Sequence, residues 1–456
     1  MNTRETVQIK YILASSSNPY VVWLSNHLMT RFRLQPKEKV WFRYGNERFL
    51  VKCEVKLDDT YGMVEIPDSL KNSHRLPPTN QYHSLLYSIE KNEIRIGPIL
   101  SLFVDRHEKH QGTFGNMTQF AVELNELSRK FNIVFYVFSY EDVEPDGING
   151  YTYVEGKWIQ EPLPYPDVIY NRITNRRLER TEAYTRFFNH CHDWGIQFFN
   201  DRYLSKWEVF SLLLENDAVA AHLPKTVRIS DKEALLETIY RFTVLYLKPI
   251  DGHEGRGIVR ITKQLDEKLK LEASDRIEPP LPSLTDKGLI QFIDEYVPSD
   301  HYILQQGIDL IQYRGGNVDF RILCNRNEYG IWCITSSLAR IGKEEHIVTN
   351  VSKGATTSSP IDVLESRFDR MKAKLILSML YDLSIEVCEW IASNLDGLYG
   401  EFGIDFGVDG EGHPWILEVN TKPSKALLSP CPSDIRPSAK RVFAFLNYLY
   451  TASIPE

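Results

Sequence analysis

Apolar and polar positions alternate along the first part of the chain. Val40, Phe42 and Tyr44 interleave with Trp41 and Arg43, and after Gly45-Asn46 the alternation resumes at Phe49, Val51 and Cys53. A period of two on both sides of a Gly-containing break predicts a β-hairpin. A second strand pair is expected around Tyr61 to Ile66, and Arg75-Leu-Pro-Pro-Thr-Asn80 reads as a loop. Residues 1–92 are read as a small β-rich module, a compact barrel.

The pattern changes at Ile94. Ile96 to Phe103 is an apolar run broken by Gly97-Pro98, and a Gly- and His-containing loop follows from Asp105 to Gly115. Phe120, Val122, Leu124 and Leu127 predict an amphipathic helix over Met117 to Lys130. Ile133 to Phe138 and Pro166 to Arg172 read as buried strands. The order strand, loop, helix, strand predicts a small, mostly parallel α/β unit over 93–172. Residues 173–456 make a third, larger region, in which the Pro-rich, charged stretch Leu271 to Thr285 is expected to be a surface insertion.

Composition narrows the class. A chain of 456 residues is longer than one core usually serves, so two or three domains are expected. Hydrophobic residues are 43%, charged residues 25% and aromatics 12%, the profile of a folded soluble protein. The formal charge of −8 argues against a nucleic-acid partner. Six scattered cysteines with no CxxC pair argue against a zinc site or a disulfide framework and fit a reducing compartment. No apolar run is long enough to span a bilayer, and Met1 to Tyr11 lacks a signal-peptide core. The expectation is a cytoplasmic protein with no membrane partner.

Three segments carry candidate chemistry. In Tyr246-Leu-Lys-Pro-Ile-Asp-Gly-His-Glu-Gly-Arg-Gly-Ile258, a strand runs into Lys248, a glycine-rich loop follows, and a second strand begins at Ile258. Glycines let backbone N–H groups approach an anion closely. The segment is neither Walker A nor a Rossmann fingerprint, because no helix follows the glycines. A Gly-rich hairpin turn after a solvated lysine explains it equally well. Leu398 to Pro423 reads as two strands joined at Asp409-Gly-Glu-Gly412; Glu418 and Asn420, two apart, share a face that Asp405 on the partner strand can also reach. Two carboxylates and an amide oxygen suit a hard cation such as Mg2+, the alternative being a solvated polar edge. Val318-Asp-Phe-Arg-Ile-Leu323 places Asp319 and Arg321 on one strand face, where Arg321 either pairs with its neighbouring Asp or is presented to a phosphate or carboxylate.

Taken in this order, the lysine before a Gly-rich hairpin, the Asp-x-Arg strand, the acidic strand and the Glu-x-Asn strand resemble the ATP-grasp superfamily over about Arg172 to Ala444. With the N-terminal β module, the Ile96-Gly-Pro strand and Gln305-Gln-Gly-Ile308, the chain resembles the YheC/YheD endospore-coat-associated family over nearly its whole length. The resemblance implies a mixed α+β and α/β architecture: a small N-terminal β module, a small pre-ATP-grasp α/β domain, then a two-lobed ATP-grasp fold. It implies Mg2+ and ATP as cofactors, with Asp405, Glu418 and Asn420 as metal ligands. Lys206 and Lys248 are implied as nucleotide-binding lysines, and Gly255, Arg256 and Gly257 as part of a lid over the triphosphate. Gln305, Gln306 and Ile308 would form the adenine-binding linker, with Asp309 toward the ribose. Arg321, Arg340 and Asn350 would face the transferred phosphoryl group. One departure stands at Val351-Ser-Lys-Gly-Ala355, where relatives commonly carry Gly-Gly; there Lys353, together with Arg172, is a candidate for the substrate side. The activity implied is carboxylate–amine ligation through an acyl phosphate, on an amino acid, a peptide or a protein tail. Association with the spore coat is implied as well. The alternative is a nucleotide-binding coat scaffold without turnover.

Overall fold

The computed structural model describes residues 2–13, 20–56, 61–77, 82–106, 113–252, 256–266, 268–274, 283–298, 301–342, 356–425 and 435–452. The chain separates into two compact units. One holds Met1–Arg202, Arg326–Ile331 and Ser424–Glu456; the other holds Tyr203–Asn325 and Trp332–Pro423. Among the described residues no helix is long and apolar enough to cross a membrane.

The first unit begins with a closed barrel of seven strands: Asn2–Ile12, Val21–Ser25, Lys39–Tyr44, Glu47–Lys56, Met63–Pro67, Tyr82–Ser88 and Glu93–Ile96. The hairpin expected around Gly45 is present, with Val40 opposite Val51 and Phe42 opposite Phe49. Val40, Phe42 and Tyr44 point inward and are fully buried, as a period of two requires of a barrel wall. The strand pair expected at Tyr61 to Ile66 is corrected. Among the described residues only Met63–Pro67 is a strand there, and its neighbours are the distant Asn2–Ile12 and Val21–Ser25.

Beyond Gly97-Pro98 the same unit builds a second sheet. Ile99–Phe103 lies between Val134–Phe138 and Val168–Asn171, all parallel, and Gln197–Phe199 extends the sheet in parallel. Every residue of Ile99–Phe103 and Val134–Phe138 is buried, as expected of parallel strands covered on both faces. An antiparallel hairpin, Gly147–Val154 with Lys157–Leu163, widens the sheet at one end. The helix foreseen over Met117 to Lys130 runs Thr118–Lys130. Against it packs a second helix from the far end of the chain, Pro437–Ala452. Arg436, just before that helix, donates from Nε to both carboxylate oxygens of Glu123 at 2.9 and 2.8 Å.

The second unit has two lobes. One is a five-stranded antiparallel sheet in the order Thr226–Arg228, Tyr302–Gln306, Val244–Pro249, Val259–Lys263, Leu269–Ala273. Leu245, Leu247, Ile261 and Leu304 pack one face against helices Lys232–Arg241 and Asp286–Tyr296. Part of the stretch expected as a surface insertion, Leu271 to Ala273, is therefore sheet; residues 275–282 lie outside the described residues. The other lobe stacks Thr356–Ser358, Trp332–Ile341, Gly316–Arg326, Glu401–Val408 and Pro414–Asn420 in that order, with the long helix Arg370–Asn394 covering the core.

Candidate functional site

The site grows from the hairpin Glu401–Val408 and Pro414–Asn420. Asp409 fixes its turn by accepting from the backbone N–H of Glu411 (3.0 Å) and His413 (2.9 Å) and from the Trp415 indole (2.9 Å). The resulting register sets Asp405 opposite Glu418 and Gly403 opposite Asn420. Alternation then puts Glu418 and Asn420 on one face, and the next strand sets Arg321 opposite Asp405.

A chain of opposite charges follows. Arg321 donates from Nε and Nη2 to the two oxygens of Asp405, the second at 2.7 Å. Arg340 Nη2 lies 3.1 Å from Asp405 Oδ1, and Arg340 Nε donates to Asp319 Oδ1 at 2.5 Å. Lys206 Nζ donates to Glu418 Oε1 at 2.7 Å and to the Gly252 carbonyl at 2.9 Å. The Asp-x-Arg strand thus does not pair internally: Asp319 takes Arg340 from one flanking strand, and Arg321 takes Asp405 from the other. Room for Arg321 depends on Gly403, where an added Cβ would lie 3.3 Å from Arg321 Nη1 and 2.8 Å from Pro423 Cβ. Burial pushes the Asp405 carboxyl up, but Arg321 and Arg340 more than offset it and hold it below the ordinary range. For Glu418, burial is likewise outweighed, here by Lys206. The pull of Asp405 and Asp319 keeps the buried Arg340 firmly charged against the effect of its burial.

On the other lobe, Lys248 is the penultimate residue of the strand Val244–Pro249 and donates to Gln305 Oε1 at 2.5 Å. Burial pushes its ammonium down to about 8; Glu418 and Asp405 act against that shift and Lys206 with it. Lys206 opens the helix Lys206–Leu214, which Ser205 caps through a reciprocal pair with Glu208. Gln306 and Ile308 are half-buried and Asp309 is exposed. Arg256 and Gly257 line a cleft of about 340 Å³ with Pro249, Asp251, Gly252, His301 and Tyr302. Gly255, Asn350 and Lys353 lie outside the described residues. Arg172 belongs to the first unit, where it is 3% exposed and its guanidinium sits 5.7 Å from the centre of the Tyr170 ring.

The structure therefore brings Arg321, Arg340, Asp319 and Asp405 into one ion-pair cluster and Lys206 and Glu418 into a second, the two coupled through the neighbouring charges of Asp405 and Glu418. Lys248 is coupled to both through the field of Glu418, Lys206 and Asp405. Sequence reasoning passed over Thr226, whose hydroxyl meets the Gln305 amide at 3.0 Å. Nothing in the sequence around Thr226 marks it, because the contact exists only through the pairing of Thr226–Arg228 with Tyr302–Gln306.

Among the described residues no group of three or more His, Cys, Asp or Glu is arranged to enclose a metal. The donors present fit Mg2+ nonetheless. That ion is usually held by one or two carboxylates, with water and substrate phosphates completing its shell. Asp405 and Glu418 are such a pair, with the Asn420 amide on the same face.

The model of the YheC/D-like ATP-grasp family matches residues 195–449. The endospore coat-associated protein YheD of Bacillus subtilis (strain 168) is 26% identical over 391 residues, 82% of this chain and 85% of that protein. YheC of the same organism is 24% identical over 326 residues, 69% of this chain and 88% of that protein. Among solved structures, the D-alanine–D-alanine ligase from Coxiella burnetii aligns with a TM-score of 0.47 at 11% identity, covering 78% of this chain and 96% of that one.

Proposed function

Because this chain belongs to the YheC/D-like ATP-grasp family, we propose that it binds Mg-ATP over the ionic network of the second unit and uses it to join a carboxylate to an amine. The observation that carries the reading is the charge alternation around Asp405 and Glu418. Each carboxylate is already balanced by a cation of the right kind to move onto a phosphate: Arg321 and Arg340 for one, Lys206 for the other. A triphosphate would draw these cations to itself and leave the oxygens of Asp405, Glu418 and Asn420 for the metal. Bound there, Mg2+ would supply charge neutralisation and polarisation of the phosphoryl oxygens.

The chemistry asks for no nucleophilic side chain. A substrate carboxylate oxygen attacks the γ-phosphorus, the bond to the β-phosphate oxygen breaks, and ADP leaves with an acyl phosphate formed. An amine then attacks the acyl carbon, phosphate departs, and the amine proton passes to solvent. Lys248, Lys206 and Arg321 bind and orient the triphosphate, Arg340 and Asn350 steady the transferred group, and the loop with Gly255, Arg256 and Gly257 excludes water. The backbone of the linker at Gln305 and Gln306 is assigned to the adenine, with Ile308 on its ring and Asp309 toward the ribose, and Lys353 is assigned to the substrate. The acceptor class is an amino acid, a peptide or a protein tail. The names of the two Bacillus relatives support a place near the spore coat.

The test is nucleotide turnover over a panel of amino acids and peptides, with mass spectrometry of the products. ADP, phosphate and a new amide are expected. Stoichiometric AMP would overturn the acyl-phosphate route. Tight Mg-ATP binding with no turnover across the panel would favour the scaffold reading.

A further inference from the structure

Lys248 has a partner that its role does not require. Its Nζ meets a side-chain amide, not a carboxylate, and that amide is held in turn. Gln305 Oε1 accepts from Lys248 at 2.5 Å, Gln305 Nε2 donates to Thr226 Oγ1 at 3.0 Å, and Thr226 Oγ1 donates to the Pro224 carbonyl at 2.9 Å. The directions are forced from both ends. An ammonium can only donate, so the amide oxygen must face Lys248. A backbone carbonyl can only accept, so the Thr226 proton is spent on Pro224 and its lone pair faces the amide nitrogen. Gln305 and Thr226 are 7% and 4% exposed, so water does not compete for these bonds. Strand register builds the chain: Thr226 and Tyr246 both pair with Gln305, one on each side.

We propose that Gln305 and Thr226 form a neutral brace, positioning residues that fix where the Lys248 ammonium points while leaving its charge for the ligand's phosphates. The inference rests on the reading of Lys248 as a phosphate-binding lysine. A carboxylate in place of the Gln305 amide would hold the ammonium as firmly but would neutralise it in advance. An amide supplies direction without counter-charge, so the anion that arrives is the one that completes the pair. The other groups facing Lys248 leave room for this: Glu418 and Asp405 favour its charge, Lys206 opposes it, and the Tyr246 ring centre lies 5.4 Å from Nζ. Glu418 and Asp405 are themselves engaged by Lys206, Arg321 and Arg340. That burial lowers the Lys248 ammonium, although two carboxylates favour its charge, agrees with an uncommitted cation.

Three variants of the full chain test the brace: Gln305→Glu, Thr226→Val and Thr226→Ser. Two readouts are needed. One is the titration of Lys248 in the nucleotide-free protein, followed by NMR of labelled lysine side chains. The other is the Kd for Mg-ATP against pH by calorimetry. Gln305→Glu is expected to raise the Lys248 midpoint by about 1–3 pH units, the usual effect of an adjacent opposite charge. It should also weaken Mg-ATP binding at pH 7 although the tether is kept, and move the pH profile of binding upward. Thr226→Val, nearly the same shape without the hydroxyl, should weaken binding, and Thr226→Ser should restore it. A Gln305→Glu protein with an unmoved Lys248 midpoint and an unmoved pH profile overturns the brace. Should Gln305→Glu fail to fold, equal Mg-ATP affinity in wild type and Thr226→Val overturns it. If the midpoint moves as expected but wild type binds no Mg-ATP, the positioning of the Lys248 ammonium by Gln305 and Thr226 stands, and its role toward phosphate falls with the proposed function.

Discussion

Asp405 and Glu418 face each other across one hairpin, yet their removal should have different costs. Asp405 is 6% exposed and answers two guanidinium groups. Asp405→Ala would leave Arg321 and Arg340 confronting each other with little solvent, and losing one partner of a buried ion pair costs about 3–5 kcal/mol. A marked fall in Tm is expected, together with loss of Mg-dependent nucleotide binding. The Glu418 side chain is 33% exposed and holds a single ammonium, so Glu418→Gln should scarcely move Tm while still losing Mg-dependent binding. Thermal melts and calorimetric titration of both variants separate the two outcomes. If both melt like wild type, Asp405 is not the hub of the network. Lys248 adds a pH signature. Its ordinary value is 10.5 and burial brings it to about 8. Below 8 the folded and unfolded chains both carry the proton and the cost of burying the charge is fully present; between 8 and 10.5 the unfolded chain holds more protons, so stability rises with pH. On the proposed role of Lys248, Mg-ATP affinity is expected to run the other way, full well below 8 and declining above it, because a triphosphate prefers the protonated lysine. Calorimetry near pH 8.5 in buffers of different ionisation enthalpy should show proton uptake on binding, and Lys248→Met should abolish it.

Among the elements, the helix Lys206–Leu214 aims the Lys206 side chain, a candidate phosphate ligand, with its first turn. Ser205 and Glu208 satisfy each other's backbone N–H groups, and the Lys206 N–H donates to the Ile250 carbonyl at 3.1 Å. Ser205→Ala should cost about 1 kcal/mol of stability. Because Lys206 is the next residue, it should also raise the Kd for Mg-ATP. Unchanged affinity with lowered stability would mean that Lys206 finds its place without the cap. What was legible in the sequence divides along the same line between local and distant pairing. The alternation at Val40–Tyr44 and the spacing of Glu418 and Asn420 dictate which side chains share a face, and the structure keeps both. Alternation does not say which strand lies alongside. It therefore gave Met63–Pro67 a sequence neighbour where the barrel pairs it with strands far along the chain, and it left Arg321 undecided between its neighbour Asp319 and a phosphate or carboxylate, without pointing to Asp405. Thr226 could not be singled out at all, since one threonine on a three-residue strand carries no pattern until Gln305 is beside it.

Across the whole molecule, the path of the chain divides the labour between the units. The first unit is left at Arg202 and regained at Ser424, apart from the short return Arg326–Ile331. Its core includes Val442, Phe445, Leu446 and Leu449 of the helix Pro437–Ala452, all nearly fully buried. Each such side chain contributes about 1.5–3 kcal/mol on burial, so four together rival the roughly 5–15 kcal/mol that holds a typical domain folded. A chain stopped after Pro423 should therefore lose the calorimetric transition of the first unit, and proteases should cut its barrel and parallel sheet. Survival of that transition would show that the helix is an ornament to a core already complete. The late return also sets a timetable. During synthesis at roughly 5–20 residues per second, the barrel and the parallel sheet emerge well before the helix that completes their unit. Until it arrives, on the order of 12–50 s later, the nascent protein shows the face of Thr118–Lys130 that this helix will cover to whatever in the cell attends to unfinished chains.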